Sequence, residues 1–343
     1  MSKLLLIGSH QNKYNSNDIG GVSILFELLV SELTEKKISF STIDTLVENN
    51  GGTLKTLFLT YYRIIKNISN CDHISLHATK NSFLTIAPFI LFFSKVFNKP
   101  FSIRLFGGNF GDVYHSSGVI RKKLMTLVLK HSDATFFELN SLVDEFGKYN
   151  SNIFWFPNVR SNKIQNIRKR EFNEKFVYIG TINKEKGIDD ICKVIEQLDP
   201  NITCDLYGPI KYKQEKYSKE YFKKLNISYK GELKPTEVQS TMDKYDVLLL
   251  PSYREGYPGV IIEAFALGIP VIATKLPGIL EMCEDKKNAL LIDIKKPEQL
   301  LSAMLSIDKL NYQLLHEEAG KAFANFNSNI QTNLFLERIG YKY

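Results

Sequence analysis

The fold turns on the twenty residues from Glu255 to Thr274, EGYPGVIIEAFALGIPVIAT. They follow the apolar run DVLLLP (246–251), which reads as a strand, and they end in PVIAT (270–274), which reads as another. Between the two, Gly256-Tyr-Pro-Gly259 is a turn that opens a helix near Gly259. Strand, loop, helix and strand at this spacing make a βαβ unit, the repeating piece of a parallel sheet.

The alternation continues outward. KFVYIG (175–180), ITCDLYG (202–208) and ISYKG (227–231) precede the stretch as strands, and ALLIDI (289–294) follows it. A second series fills the first half, with strands at 3–8, 38–44, 73–77, 101–106, 134–139 and 152–156. Helical patterns lie between them near 22–36, 53–68, 81–97, 118–131 and 140–149. Pro157 to Lys175 is polar, basic and aperiodic, and reads as a linker. The patterns predict an α/β chain of two doubly wound, Rossmann-like domains: an N-terminal one over 1–160 and a C-terminal one over 161–324. Residues 325–343 read as a C-terminal helix whose Phe326, Phe335 and Tyr341 require a surface to pack on, expected to be the N-terminal domain. Ligands of such sheets bind outside the carboxyl ends of the strands, so the expected site is a cleft between the domains.

Composition narrows the class. With 44% hydrophobic and 24% charged residues, the 343-residue chain is globular. Cys71, Cys192, Cys204 and Cys283 are far apart and form no CxxC, which suits buried thiols in a reducing compartment, the cytoplasm. The longest apolar run, FLTIAPFILFF (83–93), is about half a bilayer span and contains Pro88. MSKLLLIG reads as a first strand, not a leader. The net charge is +7, and residues 1–160 hold 17 basic against 12 acidic groups, which suits an anionic surface or substrate. Within them VIRKKLMTLVLK (Val119 to Lys130) sets Arg121, Lys122 and Lys123 beside an apolar stripe. That is the pattern of a membrane-surface helix, and equally of an ordinary surface helix.

Glu255 falls on the loop at a strand's carboxyl end, and Glu263, eight residues on, falls one turn inside a helix among Val260, Ile261, Ile262, Ala264 and Phe265. A carboxylate in that setting costs free energy unless it is hydrogen-bonded, and paired hydroxyls such as those of a ribose would serve. The alternative is a favourable interaction with the helix N-terminus alone.

This constellation resembles the E-x7-E region of retaining GT-B glycosyltransferases, specifically glycosyltransferase family 4, the group 1 glycosyltransferases. KFVYIGTINKEKGIDDI is similar to that family's strand–Gly–loop–Lys-Gly segment, placing Gly180, Lys186 and Gly187. LYGPI and YKGEL resemble its next two strand ends, at Gly208 and Gly231. Gly20-Gly21-Val22 looks like its glycine loop, and FPNV at Pro157-Asn158 resembles the segment that ends its first domain. The resemblance covers essentially the whole chain. It implies a GT-B fold and a metal-independent hexosyltransferase, in keeping with the missing Asp-x-Asp motif. The donor would be a UDP- or GDP-sugar, with no further cofactor and no metal ligands.

The resemblance also implies roles. Glu263 would hold the ribose hydroxyls and Glu255 the donor sugar. Backbone at Pro258, Gly259 and Val260 would hold sugar hydroxyls and phosphate. Lys186 would neutralise the diphosphate, so that Glu255 and Lys186 carry catalysis. Gly20 and Gly21 would let backbone approach that diphosphate, Gly180 and Thr181 would border it, and Gly231 and Glu232 would lie beside the base. Arg104, Gly107, Gly108, Asn109 and Asp112 would form an acceptor side. The implied acceptor is a glycan or an undecaprenyl-type lipid-linked glycan in bacterial capsule or O-antigen synthesis, on a protein in the cytoplasm or peripheral on the inner face of its membrane. Nucleic acid is not an expected partner. Two positions depart from the family: Thr181 stands where it commonly has arginine, with Arg254 and Lys275 as substitutes, and Phe106 stands where many members have histidine, with His10, His77 and His115 as substitutes. These departures leave open a non-catalytic GT-B subunit that stabilises a partner transferase.

Overall fold

The computed structural model describes residues 3–14, 21–161, 170–199, 201–210, 217–225 and 227–341. Gly20 and the middle of the linker lie outside them. Internal contacts divide the chain into one unit of Met1–Ser161 with Asn327–Tyr343, and a second of Asn162–Phe326.

The first unit is built on β1 (Lys3–Gly8), β2 (Ser39–Asp44), β3 (His73–Ala78), β4 (Phe101–Leu105), β5 (Ala134–Phe137) and β6 (Ile153–Trp155). They form one parallel sheet in the order β2-β1-β3-β4-β5-β6. Leu4 to Ile7 of β1 are fully buried, as expected of a strand covered on both faces. The step from β1 to β2 runs one way and every later step the other. Right-handed crossovers therefore set the Gly21–Glu35 helix on one face and the Thr53–Ile68, Ala87–Val96 and Val119–His131 helices on the opposite one.

The C-terminal helix packs within this unit. It spans Ser328–Arg338 and places Phe335 and Leu336 in a core with Phe26, Leu29 and Leu33 of the Gly21–Glu35 helix. It is shorter than the expected 325–343 because Asn327 caps it, its side chain accepting from the N–H groups of Asn329 and Ile330. The pattern over 81–97 resolves into two helices, Lys80–Thr85 and Ala87–Val96, since Pro88 suits only a helix's first turn. A short helix, Phe110–Ser116, stands where the sequence pattern named no element.

The second unit carries β7 (Lys175–Ile179), β8 (Thr203–Tyr207), β9 (Ser228–Gly231), β10 (Val247–Leu250), β11 (Val271–Thr274) and β12 (Ala289–Ile292). Their order is β12-β11-β10-β7-β8-β9. The chain runs outward from β7 to β9, returns past β7 to pair as β10 (Val247↔Phe176, Leu248↔Val177), then runs outward the other way. The order reverses between β7 and β10, the point at which a doubly wound sheet offers its ligand site, at the loops after Ile179 and Leu250. The described ends of the linker are packed: Arg160 bridges to Asn327, and Phe172 stacks on Tyr312 at 5.1 Å.

Candidate functional site

Those two loops carry Lys186 and Glu255. After β7 the chain makes a short 3-10 turn, Lys184–Lys186, whose start is held by the Asn183 side chain accepting from the Lys186 N–H at 2.9 Å. Gly187 then takes φ +72°, and a Cβ there would lie 2.0 Å from the carbonyl oxygen of Pro251, the residue after β10. Only glycine allows both that dihedral and that approach. Tyr253 clasps the same turn from the other loop, its N–H donating to the Glu185 carbonyl at 2.7 Å and its hydroxyl to Asp190 at 3.0 Å.

The result is an ion pair across 69 residues of sequence: Lys186 Nζ donates to Glu255 Oε1 at 2.7 Å. The same oxygen accepts from Ser252 Oγ at 2.8 Å. The side chains are 28% and 11% exposed, so the lysine reaches solvent while the carboxylate is largely enclosed. Beneath them Tyr178 donates its hydroxyl to the Thr181 carbonyl at 2.8 Å, and burial together with the Glu255 charge keeps that phenol protonated.

Glycines keep this end of the sheet open. Gly180, Gly208 and Gly231 follow or end β7, β8 and β9, and a Cβ on Gly208 would meet the Gly180 carbonyl oxygen at 1.9 Å. Across β10, a Cβ on Gly278 would lie 1.6 Å from the Gly256 carbonyl oxygen, so Gly278 is what lets the Gly256–Tyr257 turn seat there. Pro258 precedes the Gly259–Phe265 helix, whose first-turn N–H groups have no acceptor within the helix. Glu263 is half-buried between Ile262 and Ala264, which are fully buried. Thr181 is half-buried and Glu232 exposed. Lys275 pairs with Asp293 at 3.2 Å, and with Gln299 it holds that carboxyl below its usual range; Arg254 is exposed.

In the first unit, Gly21 begins its helix with open space where a Cβ would point. Gly107 has φ +93° and donates its N–H to Glu138 Oε2 at 2.9 Å; Gly107, Asn109 and Asp112 are exposed and Gly108 half-buried. Arg104 requires a correction. It is fully buried, donates from Nη2 to the Pro157 carbonyl at 2.8 Å and stacks 3.6 Å from the Phe156 ring centroid, so it braces the loop from below instead of facing an acceptor. Burial lowers its pKa to about 9, with the Glu138 charge opposing, and it stays cationic near neutral pH. The histidines are engaged: His10 with Glu27 at 2.9 Å, His115 with Glu145 at 2.6 Å, and His77 with Ser75 at 3.2 Å. Burial and the Arg104 charge hold His77 neutral.

The sequence reading missed Ser252, Asn183, Tyr253 and Glu138. Ser252 and Tyr253 follow β10 directly, and residues at strand carboxyl ends were the available signal. A cavity of about 710 Å³ opens at the other end of the second sheet, among Lys175, Asp205, Lys230 and Tyr245, with none of the expected site residues in its lining. Among the described residues no cluster of three or more His, Cys, Asp or Glu is placed to hold a metal ion.

Comparison with known proteins bears on the same region. Residues 159–324 match the family model of glycosyl transferases group 1. Over 89% of its length the chain is 24% identical to an uncharacterized 41.2 kDa protein in the cps region of Klebsiella pneumoniae, covering 89% of that protein. Over 66% of its length it is 27% identical to the O-antigen biosynthesis glycosyltransferase WclY of Escherichia coli, covering 70% of it. The crystal structure of Anabaena HepE in complex with UDP superposes over all of both chains with a TM-score of 0.74 at 14% identity. The fold is GT-B: two parallel six-stranded sheets with flanking helices.

Proposed function

We propose that the chain is a retaining glycosyltransferase that moves a hexose or N-acetylhexosamine from a UDP-sugar to a glycan or lipid-linked glycan in bacterial surface polysaccharide synthesis. The observation that carries this reading is the Lys186–Glu255 ion pair at the point where the strand order reverses. The group 1 match across that unit supports a transferase, and UDP in the HepE crystal supports uridine over guanosine. Relatives named for O-antigen and capsular polysaccharide biosynthesis support the setting.

The chemistry follows from charge. The bond between the anomeric carbon and the diphosphate oxygen breaks, the acceptor hydroxyl forms the new bond, and its proton leaves with the nucleoside diphosphate. Negative charge grows on the leaving phosphate, where a preorganised lysine stabilises it more than it stabilises the ground state. Glu255 aims the lysine before the donor arrives and meets the sugar hydroxyls afterwards. Glu263 takes the ribose hydroxyls, and the first turn after Pro258 offers N–H groups to phosphate.

The test is titration of UDP, GDP and their sugars against wild type and Glu263→Ala. Selective UDP binding weakened on the order of tenfold or more in the variant is expected, as for a lost hydrogen bond to a charged group. A well-folded wild type that binds no nucleotide would overturn the reading and favour the non-catalytic partner subunit.

A further inference from the structure

For Lys186 to meet Glu255, two strips of chain must run side by side: residues 251–253, which leave β10, and residues 185–190, which follow β7. Three contacts fasten them. Gly187 approaches the Pro251 carbonyl, the Tyr253 N–H donates to the Glu185 carbonyl at 2.7 Å, and the Tyr253 hydroxyl donates to Asp190 Oδ2 at 3.0 Å. The two bonds from Tyr253 thus grip the chain on either side of Lys186. Its neighbour Ser252 serves the other partner. The Ser252 carbonyl accepts from the Thr274 hydroxyl, and its own hydroxyl donates to Glu255 Oε1 at 2.8 Å.

The first two contacts are made by backbone. The third is a side-chain pair that calls for an explanation of its own. Asp190 is 4% exposed in the first turn of the Ile188–Ile195 helix, and burial raises its carboxyl pKa while the Tyr253 hydrogen bond opposes the rise. Burial and the same bond push the Tyr253 phenol up, so it stays protonated and donates. On another side Lys295 Nζ lies 5.5 Å from the centroid of the Tyr253 ring. Two apolar side chains of similar shape would serve stability as well as such a buried polar pair. A hydrogen bond adds direction, and hence register.

We propose that Tyr253 and Asp190 are positioning residues whose hydrogen bond fixes the Lys186 turn against the loop that carries Glu255. The proposal rests on the reading of Lys186 as the cation that meets the donor diphosphate. A lysine ammonium sits on a flexible four-carbon stem, so its aim depends on where its backbone is held. Stabilisation of a leaving phosphate requires that aim to be set beforehand, and a displacement of about 1 Å is enough to lose much of it. Both residues act through Lys186, since the phenol is directed at the helix and not at the ion pair.

The experiment compares wild type with Tyr253→Phe and with Tyr253→Phe/Asp190→Leu, by urea unfolding and by calorimetric titration of UDP. Tyr253→Phe takes from a buried carboxylate its phenol donor, so the urea midpoint should fall. The double variant removes that carboxylate and should regain most of the loss. UDP affinity should not recover with it: both variants should bind about three- to tenfold more weakly than wild type, the scale of one lost hydrogen bond. Affinity that follows the urea midpoint would make the pair structural only and overturn the proposal, as would wild-type affinity in both variants. A wild type that binds no UDP would defeat the donor reading instead, and the ion pair then decides the proposal by itself. A double-mutant cycle of Lys186→Met and Glu255→Gln should show a coupling of more than about twofold in the unfolding constant of the wild type and none in the Tyr253→Phe/Asp190→Leu background. Equal coupling in the two backgrounds overturns it.

Discussion

At the scale of single residues, the Lys186–Glu255 pair makes two substitutions that look equivalent behave differently. In the free protein each side chain satisfies the other, with Ser252 supporting the carboxylate. A diphosphate bound there would compete for the lysine and be repelled by the carboxylate. Lys186→Ala should therefore weaken UDP binding about 10- to 100-fold, the range of a charge-assisted hydrogen bond. Glu255→Gln keeps the hydrogen bond to Ser252 and removes the repulsion, so UDP should bind as tightly or more so. Turnover with a UDP-sugar should still fall, on the order of a hundredfold, because the sugar and the lysine lose the group that aligns them. Calorimetric titration beside initial rates separates the two effects. If Glu255→Gln lost UDP affinity as Lys186→Ala does, the carboxylate would be holding the nucleotide and its assigned role would be wrong.

At the scale of elements, β3 and β4 carry a buried polar line from which acid sensitivity of the first unit is expected. His73 Nε2 meets Ser102 Oγ at 2.8 Å, Ser102 donates to Ser75 at 3.1 Å, and Ser75 meets His77. Burial lowers the His73 pKa from 6.5 to about 4, against the opposing charge of Asp133. A depressed pKa means that the folded state prefers the neutral ring. Its contribution is full above about pH 6.5 and is lost as the pH falls through about 4, amounting to about 3 kcal/mol at the acid end. Urea midpoints at pH 7 and pH 4.5 should differ in wild type and differ less in His73→Gln, which leaves the buried His77 to titrate; an equal fall in both would refute the assignment. These strands were legible in the sequence because apolar and β-branched runs between turn residues mark a buried parallel strand. The Phe110–Ser116 helix was not, for FGDVYHS has an early glycine and only seven residues, so its one i, i+3, i+4 set of Phe110, Val113 and Tyr114 is too short to stand out. Nor was the burial of Arg104, since arginine is rarely enclosed, and here the Pro157 carbonyl, two rings and the Glu138 charge make it tolerable. Spacing put Lys186 and Glu255 on loops at strand ends; that those two loops abut depends on β10 returning to pair with β7, which strand order decides and local pattern does not.

At the scale of the whole molecule, the first unit is not continuous in sequence. The chain leaves it at Ser161, builds the second unit, and returns at Asn327 with the helix that completes the first core. The return is anchored by polar and apolar contacts together. Ser328 and Asn329 both donate to the buried Glu32 carboxylate, Arg338 lies 4.7 Å from the Phe154 ring centroid, and Phe335 is 1% exposed among Phe26, Phe136 and Phe156. The second unit has its own core, with Phe176, Leu206, Leu249 and Tyr312 in it. Phe335→Ala removes a buried aromatic, a loss of about 3–5 kcal/mol, which is a large share of a domain's total stability. It should lower the melting midpoint of one calorimetric transition by on the order of 10 °C and leave a second in place. UDP should raise the second and not the first, because Lys186 and Glu255 belong to the second unit and Phe335 to the core of the first. A single transition that moves as a whole in the variant, or UDP stabilising the transition that Phe335→Ala weakens, would show that the two units do not melt independently or that the nucleotide is held elsewhere.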